Sequence, residues 1–248
     1  MQLQRWLGSQ PAPDELGGEL PAGSHLAPSP LAGGTQTVPR SLSYGAPVTP
    51  SPSDTNLFLE INGFAQRTAW LHAPLAMYAK FGILFFAGLL VAGWWAARRR
   101  GIARMVALVC AGLGTVVAVA VNQPLVQLFH EARPYTHLHQ ILVLAQPSVD
   151  FGFPSDHGTM AGAVTAGLFL VDPLLGSVSL LLALLMAFSR VYIAAHYPSD
   201  VVAGLLLGAA VVLLGHLVVR KPLTQLMKRM ARSRLQPLVT DAGAAGEG

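Results

Sequence analysis

The sequence FPSDHGTMAGA, residues 153–163, places Pro, Ser, Asp and His directly before a run of small apolar residues. Pro, Ser and Asp are typical of the first positions of a helix, so the pattern predicts a helix that begins here. Gly, Ala and Thr behind the start allow neighbouring helices to approach closely. The sequence therefore predicts a helix packed inside a bundle, with its polar groups gathered at one end.

The whole chain is too apolar for an ordinary soluble domain of its size. Its 248 residues are 52% hydrophobic and 11% charged, and the mean hydropathy is +0.50. Apolar runs with few charges, several of which approach the roughly 20 residues that cross a bilayer, cover about 79–97, 103–122, 157–171, 174–194 and 201–219. The sequence therefore predicts an all-α, polytopic membrane bundle of about five transmembrane helices.

The segments beside the predicted bundle differ in composition. Residues 1–54 are rich in Pro, Gly, Ser and Thr without apolar periodicity, which predicts a disordered tail. Residues 55–222 form the predicted transmembrane domain, and 223–248 form a basic cytoplasmic segment. Before the first span, DTNLFLEINGFAQRTAW predicts a short amphipathic helix in the membrane interface, capped by Asp54 or Thr55. Its apolar face comprises Leu57, Phe58, Ile61 and Phe64.

The basic residues predict the orientation of the bundle. Ten of the sixteen Lys and Arg residues fall in one loop and after the last span, which predicts that this face is cytoplasmic. The net charge of +4 is thus a topology signal, and no nucleic-acid partner is expected, because no aromatic residues interleave the basic ones. The other two loops, 129–156 and 195–200, then lie together outside. The ten residues are Arg98, Arg99, Arg100, Arg104, Arg220, Lys221, Lys228, Arg229, Arg232 and Arg234.

Most chemically capable side chains fall in or beside these two outer loops. The tripeptide Pro-Ser-Asp occurs at 154–156 and again at 198–200, and each copy predicts a helix start. Helix starts present unpaired N–H groups and the positive end of the helix dipole, which attract anions such as phosphate. Arginine adds forked, permanently charged donors suited to phosphate oxygens. The candidates are Arg133, Ser155, Asp156, His157, Arg190, His196 and Asp200.

Two histidines could supply reactivity. His196 precedes Asp200 by four residues, so that carboxylate can hold one ring nitrogen and leave the other free to attack phosphorus. His157, at the other helix start, could donate a proton to the leaving oxygen. Each residue alone is also explained as a helix cap or an interfacial side chain. A zinc site is the chemical alternative, but two arginines would repel a cation and no HExxH pattern occurs, so neither a metal nor a cofactor is predicted.

At these residues the sequence resembles the type 2 phosphatidic acid phosphatase superfamily, whose three signatures are K-x6-RP, PSGH and SR-x5-H-x3-D. The third is complete from Ser189 to Asp200. The second reads PSDH, with Asp156 in place of Gly. In the first, Arg133 and Pro134 are present but Val126 replaces the Lys. The stretches PSDH, HYPSD and NLFLEINGFA are similar to the bacterial bacitracin-resistance branch, which dephosphorylates undecaprenyl diphosphate outside the membrane.

The resemblance implies a phosphohistidine mechanism, with His196 as nucleophile, Asp200 as its orienting partner and His157 as general acid. It implies no cofactor, and it implies that the phosphate ligands are Arg133, Ser155 and Arg190. Asp156 has no counterpart in the common motif, and its role is open within the site. Lys80, near the outer end of the first span, could replace the missing Lys, with snorkelling to the interface as the alternative.

The predicted function is therefore a multi-pass phosphatase of the bacterial plasma membrane with its active site outside and its C-terminus inside. It would convert a polyprenyl (undecaprenyl) diphosphate to the monophosphate, in recycling of the lipid carrier for cell-wall synthesis. Its partners would be this lipid phosphate and the membrane lipids. Two alternatives stay open: a phosphatase for phosphatidic acid, phosphatidylglycerol phosphate or another lipid phosphate, and a non-enzymatic lipid-headgroup binding or transport protein. Vanadium haloperoxidases share the three motifs but are soluble.

Overall fold

The computed structural model describes residues 49–240, and those residues contain helices and loops without a strand. This confirms the predicted all-α class. The predicted tail, up to residue 48, and residues 241–248 of the C-terminal segment lie outside the described residues. The helices are α1 (Pro52–Arg67), α2 (Ala69–Phe81), α3 (Ile83–Arg100), α4 (Ile102–Phe129), α5 (Pro134–His137), α6 (Asp156–Val171), α7 (Pro173–Tyr192), α8 (Pro198–Met230) and α9 (Gln236–Val239).

Several helices are long and apolar enough to cross a membrane. Among the described residues these are α4, α7 and α8, and the pair α2 and α3 makes a fourth if it counts as one span bent by 53°. The bend divides the predicted run 79–97 at Gly82. Met186 packs closely against this glycine, because a methyl group on Gly82 would lie 2.6 Å from Met186 Cε. Helix α6 has 16 residues and so extends only about 24 Å. Most of it is buried, as its small residues predicted.

Helices α6 and α8 cross with their backbones in contact. Two pairs of glycines make this possible, Gly158 and Gly162 on α6 and Gly204 and Gly208 on α8. A methyl group at Gly158 would lie 2.8 Å from the carbonyl oxygen of Val201, and one at any of the other three would meet the facing backbone more closely still. The close packing predicted for α6 is confirmed, and it fixes the two helix starts side by side.

The first helix begins earlier than predicted. Ser51 is its N-cap, because Pro52 takes the first helical position and the Ser51 hydroxyl accepts from Asp54 N at 3.2 Å. The prediction of a cap at Asp54 or Thr55 was therefore wrong. The Asp54 carboxylate instead accepts from the main-chain N–H of Ser199 at 2.9 Å and from its hydroxyl at 2.6 Å. These bonds tie α1 to the start of α8; a place for α1 in the membrane interface stays a prediction.

The basic residues gather at the end of the bundle opposite these helix starts. An ion pair between Arg100 and Asp172 joins the α3–α4 turn to the α6–α7 turn. Helix α8 continues past the predicted apolar run to Met230. The chain then returns toward α3, where Trp94 Nε1 donates to the carbonyl oxygen of Leu238 at 3.0 Å. The polar loops 130–155 and 193–197 are thus left at the other end, with the starts of α6 and α8.

Candidate active site

The two predicted outer loops meet around a cavity of about 1040 Å³. Arg133 Nη1 donates to the carbonyl oxygen of Ala195 at 3.0 Å, which joins one loop to the other. Ser155 N donates to the carbonyl oxygen of Asp200 at 3.0 Å, which joins the two helix starts below the cavity. Six of the eight predicted site residues line the cavity: Lys80, Arg133, Asp156, His157, Arg190 and His196.

His196 lies just before α8 and is almost fully buried, with 2% of its surface exposed. Its Nδ1 lies 3.3 Å from Asp200 Oδ2, and its Nε2 lies 3.2 Å from Arg133 Nη1. Since arginine can only donate, these contacts assign the hydrogen to Nδ1 and a lone pair to Nε2. Burial, followed by the positive charges of Arg190 and Arg133, holds the pKa of His196 well below its ordinary range. The imidazole is therefore neutral, with a nucleophilic nitrogen at the cavity.

Asp200 does not line the cavity but holds the residue that does. It is the third residue of α8 and is fully buried. Its Oδ2 accepts from Tyr197 N at 2.9 Å as well as from His196 Nδ1. A carboxylate that reaches back to the N-cap N–H is a common device at helix starts, and here it fixes the carboxylate against the backbone. The predicted four-residue spacing thus produces the predicted His–Asp contact.

The two arginines approach the same cavity from different elements. Arg190 lies in the last turn of α7, and its Nε is buried without a hydrogen-bond partner among the described residues. Arg133 lies just before α5, where its Nε donates to the carbonyl oxygen of Asp150 at 3.1 Å. His157, in the first turn of α6, is half-buried and lines the cavity beside them. Two permanent positive charges beside two imidazoles make a site for an anion.

Ser155 and Asp156 are used differently from each other. Ser155 is fully buried below the cavity, where its hydroxyl caps α6 by accepting from Gly158 N at 3.4 Å. Asp156 is exposed on the cavity wall, and its Oδ1 accepts from Asn122 Nδ2 at 2.6 Å and from Gln123 Nε2 at 2.9 Å. These two amides come from α4. They were not predicted as site residues, although two adjacent amides at the end of an apolar run were a usable signal for a polar site.

Lys80 lies on the cavity wall, exposed, with its Nζ 5.2 Å from the centre of the Phe81 ring. Val126, which occupies the position of the motif Lys, also lines the cavity.

Glu131 was not predicted from the sequence either. It is a carboxyl that is only 2% exposed and precedes Arg133 by two residues. Among residues 49–240 no group of three or more His, Cys, Asp or Glu side chains has an arrangement suited to a metal ion.

Comparisons with known proteins give the family. The model of the PAP2 superfamily matches residues 107–223. The bacitracin transport permease protein BcrC of Bacillus licheniformis is 30% identical over 64% of this chain and 76% of its own length. Undecaprenyl-diphosphatase BcrC of Bacillus subtilis (strain 168) is 24% identical over 73% of this chain and 93% of its own. Among solved structures, the chain is similar to the crystal structure of the first transmembrane PAP2 type phosphatidylglycerolphosphate phosphatase from Bacillus subtilis. The two sequences are 18% identical and the TM-score is 0.45, over 74% of this chain and 90% of that one.

With its apolar helices and its cavity of histidines and arginines, the molecule is a multi-pass membrane lipid phosphatase. The chain belongs to the PAP2 superfamily, which confirms the resemblance carried by its three motifs.

Proposed function

We propose that the protein removes the terminal phosphate of a polyprenyl diphosphate, with undecaprenyl diphosphate as the first candidate. One observation carries the proposal. His196 presents an unprotonated Nε2 to a cavity that also contains Arg133 and Arg190, while its Nδ1 is held by Asp200. The substrate named for the related protein of Bacillus subtilis supports the choice of lipid.

Binding of the substrate begins with its terminal phosphate. Arg133 and Arg190 supply donors to the phosphate oxygens, and the start of α6 adds the positive end of its dipole. The phosphate replaces Nε2 as the acceptor for Arg133, which frees the lone pair for attack. Lys80 on the cavity wall contributes charge to the second phosphate, and Ser155 supports the α6 start from below. Asp156, held by two amides, sets the shape of the α6 side of the cavity.

In the first step Nε2 of His196 attacks the terminal phosphorus. An N–P bond forms, and the bond from phosphorus to the bridging oxygen breaks, with its electron pair remaining on that oxygen. His157 donates a proton to the bridging oxygen, which leaves as the lipid monophosphate. The positive charge that develops on the His196 ring is balanced by Asp200, whose carboxylate already accepts the Nδ1 hydrogen.

In the second step water attacks the phosphohistidine. His157, now neutral, accepts a proton from that water, and the N–P bond breaks with its electron pair returning to Nε2. Inorganic phosphate leaves, and both histidines return to their starting states. Burial first, and then the charges of Arg190 and Arg133, lower the pKa of His157 to about 3 in the empty cavity, whereas the negative charge of a bound phosphate raises it. Substrate binding therefore prepares the general acid.

The placement of the chain in the membrane follows from its two unlike ends. The end with the α3–α4 turn carries the clustered arginines, which favours the cytoplasm, and the C-terminal part of α8 lies at the same end. The cavity at the opposite end would then open outside the bacterial plasma membrane. A lipid could keep its tail beside the exposed apolar helices and offer only its phosphates to the cavity. This arrangement suits recycling of a lipid carrier for cell-wall synthesis.

The direct test is phosphate release by the purified full chain in detergent micelles with EDTA present. Wild type, His196→Ala and His139→Ala are offered undecaprenyl diphosphate and phosphatidic acid side by side. His139 is an exposed histidine of the loop after α5 and serves as the matched control. We expect wild type and His139→Ala to hydrolyse the diphosphate equally, and His196→Ala to be slower by about 10⁴-fold or more.

Equal release by His196→Ala would contradict the mechanism. Preference for phosphatidic acid would keep the mechanism and change the substrate class. Loss of wild-type activity in EDTA, restored by one metal ion, would contradict metal-free catalysis.

A further inference from the structure

Glu131 is a buried carboxyl that the mechanism above does not use. It lies in the loop between α4 and α5, and its main-chain oxygen accepts from Gly152 N at 2.7 Å. Its side-chain carboxyl lies beside the carboxyl of Asp200, and the two groups interact with each other. Gly152 also packs against the Asp200 carboxyl, because a methyl group there would lie 3.1 Å from Asp200 Oδ2. Glu131 therefore packs behind the residue that holds the His196 imidazole.

Each of these two carboxyls has one buried oxygen that no N–H or hydroxyl donor of residues 49–240 reaches. These atoms are Glu131 Oε1 and Asp200 Oδ1. If both carboxyls were ionised, two neighbouring buried charges would repel each other and two acceptors would lack a donor. A single proton shared by the pair removes both costs, because the protonated group donates and the ionised group accepts. The contact thus requires one neutral partner and one charged partner.

The surroundings decide which carboxyl holds the proton. Burial raises the pKa of Asp200 to about 7. Asp200 nevertheless accepts from Tyr197 N and from His196 Nδ1, and Arg133 adds a nearby positive charge, all of which favour its ionised form over that of Glu131. Its Oδ1 is then the acceptor left for Glu131.

Glu131 has the opposite surroundings. The charged groups that face it are Asp200 on α8 and Asp54 on α1, both of which disfavour a second negative charge. The neighbouring Tyr197 hydroxyl is neutral at physiological pH, because burial and these acidic groups raise its pKa to about 12. Burial first, and then the charge of Asp200, raise the pKa of Glu131 to about 8. Because Asp200 already has two N–H donors, the shared proton belongs to Glu131.

We propose that Glu131 is a positioning residue for this reaction: its neutral carboxyl donates a hydrogen bond to Asp200 and holds that carboxylate in the orientation that accepts the Nδ1 hydrogen of His196. This inference rests on the proposed function, since it assigns Glu131 an effect on the nucleophile. The chain of contacts runs from Glu131 through Asp200 to His196, and only the last of these meets the phosphate. A group of similar volume that can donate should preserve this chain, and one that cannot donate should break it.

Two substitutions of similar volume separate donation from packing. Glu131→Gln keeps a donor and cannot ionise, whereas Glu131→Met keeps the length and has no donor. We expect Glu131→Gln to keep kcat within about threefold of wild type at neutral pH. We expect Glu131→Met to lose roughly 10- to 100-fold in kcat, with KM changed less than about threefold, since a buried acceptor is left without a donor. Glu60→Gln, an exposed carboxyl on α1, is the control and should match wild type.

Infrared spectroscopy of the full chain tests the proton without reference to activity. We expect a carbonyl stretch of a protonated carboxylic acid at neutral pH in wild type and in Glu60→Gln, lost as the pH rises through about 8. The band should be missing in Glu131→Gln. Absence of the band in wild type, equal loss of kcat in the Gln and Met variants, or wild-type kcat in the Met variant would each overturn the inference.

The His196→Ala variant, measured in the same assay, keeps the two claims apart. Retained activity in that variant contradicts the proposed function, while the infrared band still reports on Glu131. Lost activity in His196→Ala, together with an unchanged kcat in Glu131→Met, contradicts only the role of Glu131.

Discussion

The tripeptide Pro-Ser-Asp occurs twice at the cavity, and its two copies are used in different ways. In the first copy, Ser155 caps α6 and Asp156 is exposed beside amides from α4. In the second, Ser199 binds the carboxylate of Asp54, and Asp200 is fully buried behind His196. Identical residues at two neighbouring helix starts therefore differ in burial, partners and chemical use.

The difference comes from where each helix begins relative to the tripeptide. Helix α6 begins at the Asp of its copy, so this side chain points out from the first turn. Helix α8 begins at the Pro of its copy, so Asp200 is the third helical residue and its carboxylate can reach back to the N-cap. The histidine follows the first tripeptide and precedes the second. One start thus presents a half-buried candidate acid, His157, and the other a fixed candidate nucleophile, His196.

The largest effect expected from this comparison separates the two aspartates. Asp200→Asn removes the charge that orients and balances the His196 ring, and we expect kcat to fall by about 10³-fold or more. Asp156→Asn keeps a polar side chain on the cavity wall, and we expect a loss of less than about tenfold. Steady-state phosphate release at neutral pH measures both. Equal losses of kcat in the two variants would contradict the different roles proposed for Asp156 and Asp200.

Much of the site could be predicted because its residues lie in short local patterns. The His196–Asp200 contact depends on one helical turn, and the spacing in the sequence was enough to predict it. The meeting of the two loops followed from the alternation of apolar runs, which puts every second loop on one side. The small residues of α6 predicted close packing without revealing Gly204 and Gly208 as its counterparts, because nothing local to α6 identifies the helix that it faces.

The residues that sequence reasoning missed make contacts far along the chain. Glu131 meets Asp200 only because its loop folds over the start of α8, and no local pattern encodes that contact. The cap of α8 by Asp54 joins positions 145 residues apart. The bend between α2 and α3 falls inside an apolar run that hydropathy alone reads as continuous. In each case the deciding partner comes from a distant segment.

A smaller effect tests the crossing that keeps the two starts together. A methyl group at Gly208 would collide with the main chain of α6 at Thr159, whereas one at Gly215 meets no atom within 4 Å among the described residues. We expect Gly208→Ala to destabilise the protein by about 1–3 kcal/mol and to lower kcat. Gly215→Ala should leave both unchanged or raise stability slightly. Thermal unfolding in detergent gives the stability of both variants, and phosphate release by the same preparations gives their kcat. An equal response of the two variants would contradict close backbone packing as the cause.

The proposed mechanism requires a covalent bond between His196 and the transferred phosphate. Rapid quenching of the full chain during turnover of a diphosphate labelled at its terminal phosphate, followed by peptide mapping, tests it most directly. We expect label on the peptide that contains His196 in wild type, and no label in His196→Ala. Label on His157 instead, or turnover in wild type with no labelled histidine at any quench time, would contradict it.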